Sequence, residues 1–553
     1  MVVALFYVEE DWRGWRAWNQ FVKEQAALGI TIDSDFQRLV PPAVPDDQNF
    51  AATPFWKHLF SPEYLGQTPD FQARKDSPTN AAYQSVDRVL KVGGLESSIY
   101  ASSWADGTRM DAAEWMRRFH LQAFPDPKNT PKLGKVLILK YHLNRPPPFA
   151  DFPVPGPTFP TPTNAGVLAT NLLALTDRLG PVLAEFRDAA ARPVCRFDLD
   201  YATEYPSTIL CPHVFILEDV AQIMRMRCIA EIALHRVDDA ASDVILALRL
   251  ARATEEEPFL VSHMAEYSGV HPVLRTIWEG LERHAWSEDH LRKFENLLAR
   301  IQLPPLLELC LVGEQTSANR LFDDLHRPPK PPIHDRPPSG AILTGCQGHL
   351  VKPPGFLCTG FSSFFPTGWA YFEQLNYNRE MMEVRRVAWD REHETFSPSR
   401  FNREDGRVQF FPVPNLRAIL EHRYLPWCFL FELRCANAKK TAYSQTGVNL
   451  GRVACALERF RLARGGYPPS LEALTPDWIK SIPKDIINGG PLHYFRSNTD
   501  SYRLYSVGWN ERDDGGEIAY LLPPGLRNPN RPAPPDIDNG DWVWAIPGRQ
   551  TKP

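Results

Sequence analysis

Two acidic clusters near the C-terminus carry the residues best suited to chemistry in this chain. The first is Asn510-Glu511-Arg512-Asp513-Asp514-Gly515-Gly516, and the second is Asp536-Ile537-Asp538-Asn539-Gly540-Asp541-Trp542. Hard cations such as calcium take several oxygens from a flexible, glycine-containing loop. Asn510, Asp513, Asp514, Asp536 and Asp538 are therefore the candidate calcium ligands, with Asp541 beside them. The plainer reading is a polar hairpin loop, in which Asp and Asn serve turn geometry rather than a metal.

Fifteen histidines invite a second search. An HExxH motif is absent, as are GxSxG, a phosphate-binding Walker loop and GxGxxG followed by a helix. His263 and His271 lie near Glu257 and Glu266, but at no metal-ligand spacing, and His284 and His290 flank a helix start. All four read as structural histidines, and no catalytic residue is assigned. Glu255, Glu256 and Glu257 before Pro258 read as a solvated helix end.

Nine cysteines leave at least one unpaired, and no CxxC occurs. Cys228, Cys310, Cys428, Cys435 and Cys455 sit in apolar helical patterns and read as buried thiols. Cys346 and Cys358 bracket a Pro/Gly loop and could bridge in an oxidising compartment.

The elements that must position these groups are mostly helical. A chain of 553 residues with 43% hydrophobic and 23% charged residues is that of a folded protein of several domains. The 52 prolines exceed the usual level of about 5% and cluster into stiff connectors. A net charge of −5, with both signs interspersed, offers no footprint for nucleic acid. Residues 1–145 read as a mixed region, with Trp12, Trp15, Trp18 and Phe21 on a helix packed onto the rest, and a strand at 133–143. A proline-rich connector (146–163) leads to helices in series over 164–326, read as solenoid-like. There Leu217, Val220, Met224 and Cys228 form one apolar stripe and Ala241, Val244 and Leu248 another, while Ser287 caps a helix running to Ile301. An irregular proline-rich insertion (327–366) and a helical region (367–448) precede a C-terminal α+β domain at 449–547. Met1 to Val8 is apolar but too short to span a bilayer, which needs about 20 residues. It reads either as a buried first strand or helix turn, or as the tail of a membrane anchor at or upstream of Met1.

In the C-terminal domain, Leu450, Val453, Ala454, Leu457 and Phe460 form one helix face, ended by Gly465 and Gly466 in left-handed conformations. Ser470 is placed to cap a short helix holding Leu471 and Leu474. Pro491 to Phe495 and Tyr502 to Val507 read as a hairpin, with Ser497 to Asp500 as its loop. This order resembles the globular domain of the major pseudopilin of type II secretion. Tyr467-Pro468, Pro483-Lys484-Asp485, Gly489 through Tyr494 and Tyr502 through Gly508 look like that family's successive motifs. The resemblance implies a following calcium loop and an Asp-Ile-x-Asn-Trp segment, nearest here to Asp536 through Trp542 and displaced by the insertion 517–535. The helix is internal, so this chain does not polymerise as a pseudopilin does. The full layout also resembles large envelope proteins of Verrucomicrobia and Planctomycetes, sharing the Pro41 to Pro54 segment. That likeness implies no activity.

The expected fold is thus mainly α, with a pseudopilin-like α+β end and long proline-rich loops. The expected function is a non-catalytic scaffold or protein-interaction protein on the periplasmic side of the cell envelope, associated with other proteins or a membrane complex. The alternative is a hydrolase with its site between the helical domain and loop 327–366.

Overall fold

The computed structural model describes residues 2–61, 164–326 apart from 204, 366–401, 420–423, 436–521 and 535–547. The strand expected at 133–143, the connector 146–163, nearly all of the insertion 327–366, and Cys346, Cys358, Cys428 and Cys435 lie outside the described residues.

The middle of the fold is built around one long helix. Helix α5 (Pro212–Ala233) has Pro212 in its first turn, where a missing N–H costs nothing. Its stripe Leu217, Val220, Met224 and Cys228 is buried. Helix α6 (Val237–Leu250) carries Asp238 and Asp239 in its first turn, where the helix dipole favours negative charge, and buries Ala241, Val244 and Leu248. Helix α7 (Leu260–Glu282) is buried along nearly its whole length, polar residues included. Ser287 caps α8 (Glu288–Leu298) by accepting from the His290 amide at 3.3 Å. Helix α9 (Leu303–Leu325) returns along α7, and its Glu314 accepts from the Leu260 amide at 3.2 Å, satisfying one of the orphan donors at the start of α7.

Earlier in the chain, α2 (Pro54–Leu59), α3 (Ala165–Thr176) and α4 (Gly180–Ala189) extend this core. Trp56 is fully buried, stacked on Phe186 at 5.2 Å and edge-on to Phe197 at 5.0 Å. The proline-rich Pro41 to Pro54 segment is stitched down by Asn49. Its side-chain Nδ2 donates to the Arg196 carbonyl at 2.8 Å, and its side-chain Oδ1 accepts from the Arg196 and Ala51 backbone amides.

Helix α11 (Ala436–Arg464) packs on α7, α8 and α9, and the C-terminal sheet packs on α11. Strands β1 (His493–Asn498), β2 (Ser501–Ser506) and β5 (Trp542–Ile546) form an antiparallel sheet in the order β1-β2-β5. Strands β3 (Ile518–Tyr520) and β4 (Pro535–Gly540) pair separately. The Trp278 indole of α7 donates to the Ala545 carbonyl of β5 at 2.8 Å. One apolar cluster runs from Phe36 to Ile546, so the described helices and the small sheet share a core. The chain is mostly helical with a small antiparallel sheet at its C-terminal end.

Helix α1 (Val2–Ala27) stands on α10 (Thr367–Ala388). Their backbones touch at two glycines: a Cβ at Gly14 would sit 2.1 Å from the Gly368 oxygen, and one at Gly368 would sit 1.9 Å from the Glu10 oxygen. The Gly368 amide donates to Asp11 at 2.7 Å. Phe21, Ile32 and Leu375 make a small separate core below this crossing. Among the described residues, no helix is long and apolar enough to cross a membrane.

Several expectations are corrected. Trp12 and Trp15 are exposed rather than packed, because α1 meets α10 with the face that carries Glu10, Gly14 and Phe21, and at about 100° per residue the two tryptophans point away from it. Val2 to Val8 is neither a strand nor buried, since Val2–Ala27 is one helix whose first residues are exposed. Gly465 alone takes the left-handed conformation, with φ of 81°, and Gly466 does not. Ser470 makes no side-chain cap, and the short element at Leu471–Leu474 is a 3-10 turn. The hairpin is tighter than expected, with Asn498 opposite Ser501. Asp536 to Gly540 forms strand β4 rather than a loop.

Candidate functional site

Where the candidate calcium ligands lie follows from their hydrogen bonds. Asp541, at the start of β5, is buried and aims its carboxylate at the glycine-rich loop. It accepts from the Gly516 amide at 2.6 Å and the Asp514 amide at 3.1 Å. Gly516 has φ of 79°, and a side chain there would strike Arg503, so only glycine fits this closure. Burial pushes the Asp541 carboxyl up, and the two amides pull it back down only in part. Asp513 accepts from the Gly515 amide at 3.0 Å and the Tyr505 hydroxyl at 3.1 Å, and faces His493 at 3.4 Å. The Gly515 amide in particular holds its carboxyl below the usual range. Asn510 donates to Asp514 at 2.8 Å.

The remaining two candidates stand apart. Asp538 pairs with Lys439 of α11, and Asp536 accepts from the Asp538 amide and the Asn539 side chain. Among the described residues, no three carboxylates of this region bring their oxygens within 4.8 Å of one another. The loop turns N–H donors inward onto a carboxylate, whereas a calcium cage turns oxygens inward. Asn510, Asp513, Asp514, Asp536 and Asp538 as arranged do not fit a single ion.

Two other buried carboxylates organise the C-terminal domain. Asp485 accepts from the Ile487 and Val507 amides at 2.9 and 3.0 Å and from the Ser506 hydroxyl at 2.9 Å, tying its loop to the end of β2. Burial raises its pKa against those donors. Glu458 of α11 accepts from Arg461, from Tyr467 at 2.7 Å and from His284 at 2.9 Å. Burial pushes this carboxyl up, but the His284 and Arg461 donors outweigh it and leave it below the usual range. His284 thereby joins the α7–α8 turn to α11, and Arg459 adds a bond to Glu288 of α8 at 2.9 Å.

The histidines of α7 form a polar seam with α11. His263 Nε2 lies 2.7 Å from the Thr441 hydroxyl, and His271 Nε2 lies 2.9 Å from Ser444. Tyr267 donates to Asn437 at 3.2 Å. Burial depresses His263 to about 3 and His271 to about 4. At neutral pH both are uncharged and too weakly basic to serve as a general base, whose pKa should lie near the working pH.

A serine, a glutamate and a histidine do converge in the interior. The Ser262 hydroxyl and His213 Nε2 both meet the same Glu257 oxygen, at 2.5 and 3.1 Å. The hydroxyl is therefore turned to the carboxylate rather than to the imidazole, so the histidine is not placed to activate it. Glu257 is buried, not at a solvated helix end as expected, because α9 and the α5 start close over it.

Sequence reasoning missed one further cluster. Arg227 of α5 donates to Asp243 at 2.9 Å, to Asp177 at 2.8 Å and to Thr176 at 3.0 Å, and approaches Glu231 at 3.5 Å. Arg187 also bonds Asp243. Cys228, Glu231 and Asp243 gather their ligand atoms within 4.8 Å. Burial and the Asp243 charge push Glu231 up to about 8, and burial pushes the Cys228 thiol well up. Two of the three groups thus hold protons at neutral pH, and Arg227 already supplies the positive charge. Arg227 and Glu231 at helical spacing were the only signal in sequence.

No family model, curated protein or solved structure matches this chain.

Proposed function

We propose that this chain is a protein-interaction scaffold of the cell envelope, whose helical body carries the C-terminal α+β module in a fixed orientation for a partner or membrane complex. The observation that carries this reading is the joint between α7, α8 and α11. Trp278 reaches the β5 backbone, His284 reaches Glu458, and Arg459 reaches Glu288, so three separate bonds fix the module against the body. The strong depression of His263 and His271 favours structural over catalytic roles for them. The helix, turn, hairpin and glycine-rich loop of 449–547 are compatible with a pseudopilin-like module, and its place after a helical body would make it a presented domain.

The test is in-cell crosslinking followed by fractionation of the full chain. The reading expects a discrete crosslinked assembly in the envelope fraction. A free chain in the soluble fraction, without crosslinks, would overturn it. Turnover of ester, peptide or glycoside substrates by the purified chain would favour the hydrolase instead.

A further inference from the structure

We propose that the apolar stretch Val2 to Val8 of α1 contacts the lipid of a bilayer. Val2, Val3, Ala4, Leu5, Phe6, Tyr7 and Val8 follow one another without a polar residue. At about 100° per residue, such a run makes a helical stretch that is apolar on every side. Val2 is 80% exposed, Leu5 61% and Val8 67%. A groove on another protein covers one face of a helix, whereas lipid surrounds it, so the all-round pattern selects lipid.

The geometry below the tip agrees. α1 and α10 run in parallel, because Gly14 meets Gly368 and, further along both helices, Phe21 lies under Arg379. The tip therefore projects past the start of α10 by about 15–18 Å at 1.5 Å per residue. Next come Trp12 and Trp15, both more than half exposed, with Arg16 over the Trp12 ring at 5.1 Å. Tryptophan and arginine at this level suit the headgroup region. Of the three acidic residues that follow the run, Glu10 bonds Arg13 at 2.5 Å and Trp369 at 3.2 Å and Asp11 bonds the Gly368 amide, while Glu9 is exposed and marks the polar limit of the contact.

This inference deepens the envelope reading by naming the lipid contact, and it rests on that reading. Its experiment is flotation of the purified full chain with phosphatidylcholine vesicles, with and without phosphatidylglycerol, alongside the double variant Leu5→Asp/Phe6→Asp. The wild type should float, and the variant should bind at least about tenfold more weakly, since each aspartate opposes burial in lipid. The thermal midpoint of the variant should stay where it was, because these side chains are exposed. A wild type that does not float, or a variant that floats equally well, overturns the proposal. Light scattering showing a dimer that the variant breaks, without vesicle binding, would assign the tip to a second copy of the chain. Loss of vesicle binding with the crosslinked envelope assembly intact would remove the lipid contact and leave the scaffold reading standing.

Discussion

Acidification should open the seam between α7 and α11, and the two buried histidines set how strongly. The Thr441 hydroxyl donates its proton to the Asn437 carbonyl at 2.7 Å, so it can only accept from His263. The His263 proton therefore sits on Nε2, and Nδ1 is buried with no hydrogen-bond partner. A second proton would create a buried cation whose N–H has no acceptor. In the unfolded chain the imidazoles titrate near 6.5, and in the folded chain at about 3 for His263 and about 4 for His271. Because the folded values are depressed, the histidine contribution is intact above pH 6.5 and is lost as pH falls toward the folded values. At pH 5 the unfolded chain gains about 2 kcal/mol from each histidine, about 4 kcal/mol for the pair. Burial raises the pKa of Glu266, and of Glu231 to about 8, and these run the other way: their contribution is present below the unfolded carboxylate range and lost as pH rises. The whole-protein curve mixes both signs, so the measurement must be a difference. Urea unfolding of wild type, His263→Gln and His271→Gln at pH 7 and pH 5 isolates each histidine. The glutamine amide can keep a bond to Thr441 or Ser444 and cannot be protonated. Each variant should gain about 2 kcal/mol relative to wild type between the two pH values. Parallel losses in wild type and variants would refute the assigned burial of these imidazoles.

Three further outcomes follow from single contacts. Gly14→Val drives a side chain into the Gly368 backbone, so α1 should lose hydrogen-exchange protection by about 1–3 kcal/mol while α7 keeps its own. Asp485→Ala strands the Ile487 and Val507 amides and the Ser506 hydroxyl, and should destabilise the C-terminal domain by about 2–4 kcal/mol in thermal unfolding. Millimolar calcium should leave the unfolding midpoint unchanged, because an ion held only by the native state must raise it and the loop oxygens already face N–H donors; a rise that Asp541→Asn abolishes would restore the acidic loop as a metal site.

What could be read from the sequence was periodic or local. The stripe Leu217, Val220, Met224 and Cys228 and the Ser287 cap needed only helical spacing and one hydroxyl. The Asn49 segment was visible as a motif, but its partner Arg196 lies 147 residues away, and sequence carries no signal of that pairing. Trp12 and Trp15 were misplaced for a related reason. Spacing says which side chains share a face, but not which face the neighbouring helix covers, and α10 packs on the face of Glu10, Gly14 and Phe21. The acidic clusters supplied the right residue types for calcium, yet ligand geometry depends on which backbone groups point inward. Asp541, outside the five candidates, turned out to be the residue that closes the loop. The Arg227 cluster was illegible because Thr176, Asp177, Arg187 and Asp243 come from four other helices or turns.

The joints of this fold have a common character that bears on its use. Between α9 and α10, Gln315 and Asn319 donate to Asn378, Asn378 donates back to Asn319, and Gln374 donates to Asn319, all at 2.7 to 3.2 Å. Asn319 also donates to the Asp33 carbonyl, and Ser34 bonds Asp323 at 2.5 Å, which holds the segment after α1 against α9. Between α7 and α11 the seam is His263, Tyr267 and His271 against Thr441, Asn437 and Ser444. Buried polar pairs add little net stability, but each is costly to leave unmade, so they favour one register over its neighbours. Slipping such a seam by a turn would leave these groups unpaired, a cost added to the lost packing that any seam would incur. A continuous series of such joints runs from α1 through α10, α9, α7 and α11 to the sheet. It fixes the distance and orientation between the apolar tip of α1 and the C-terminal module. A chain that only needed to be stable could have used leucine at these positions; one that must hold two contact surfaces in a set relation has reason to use polar pairs.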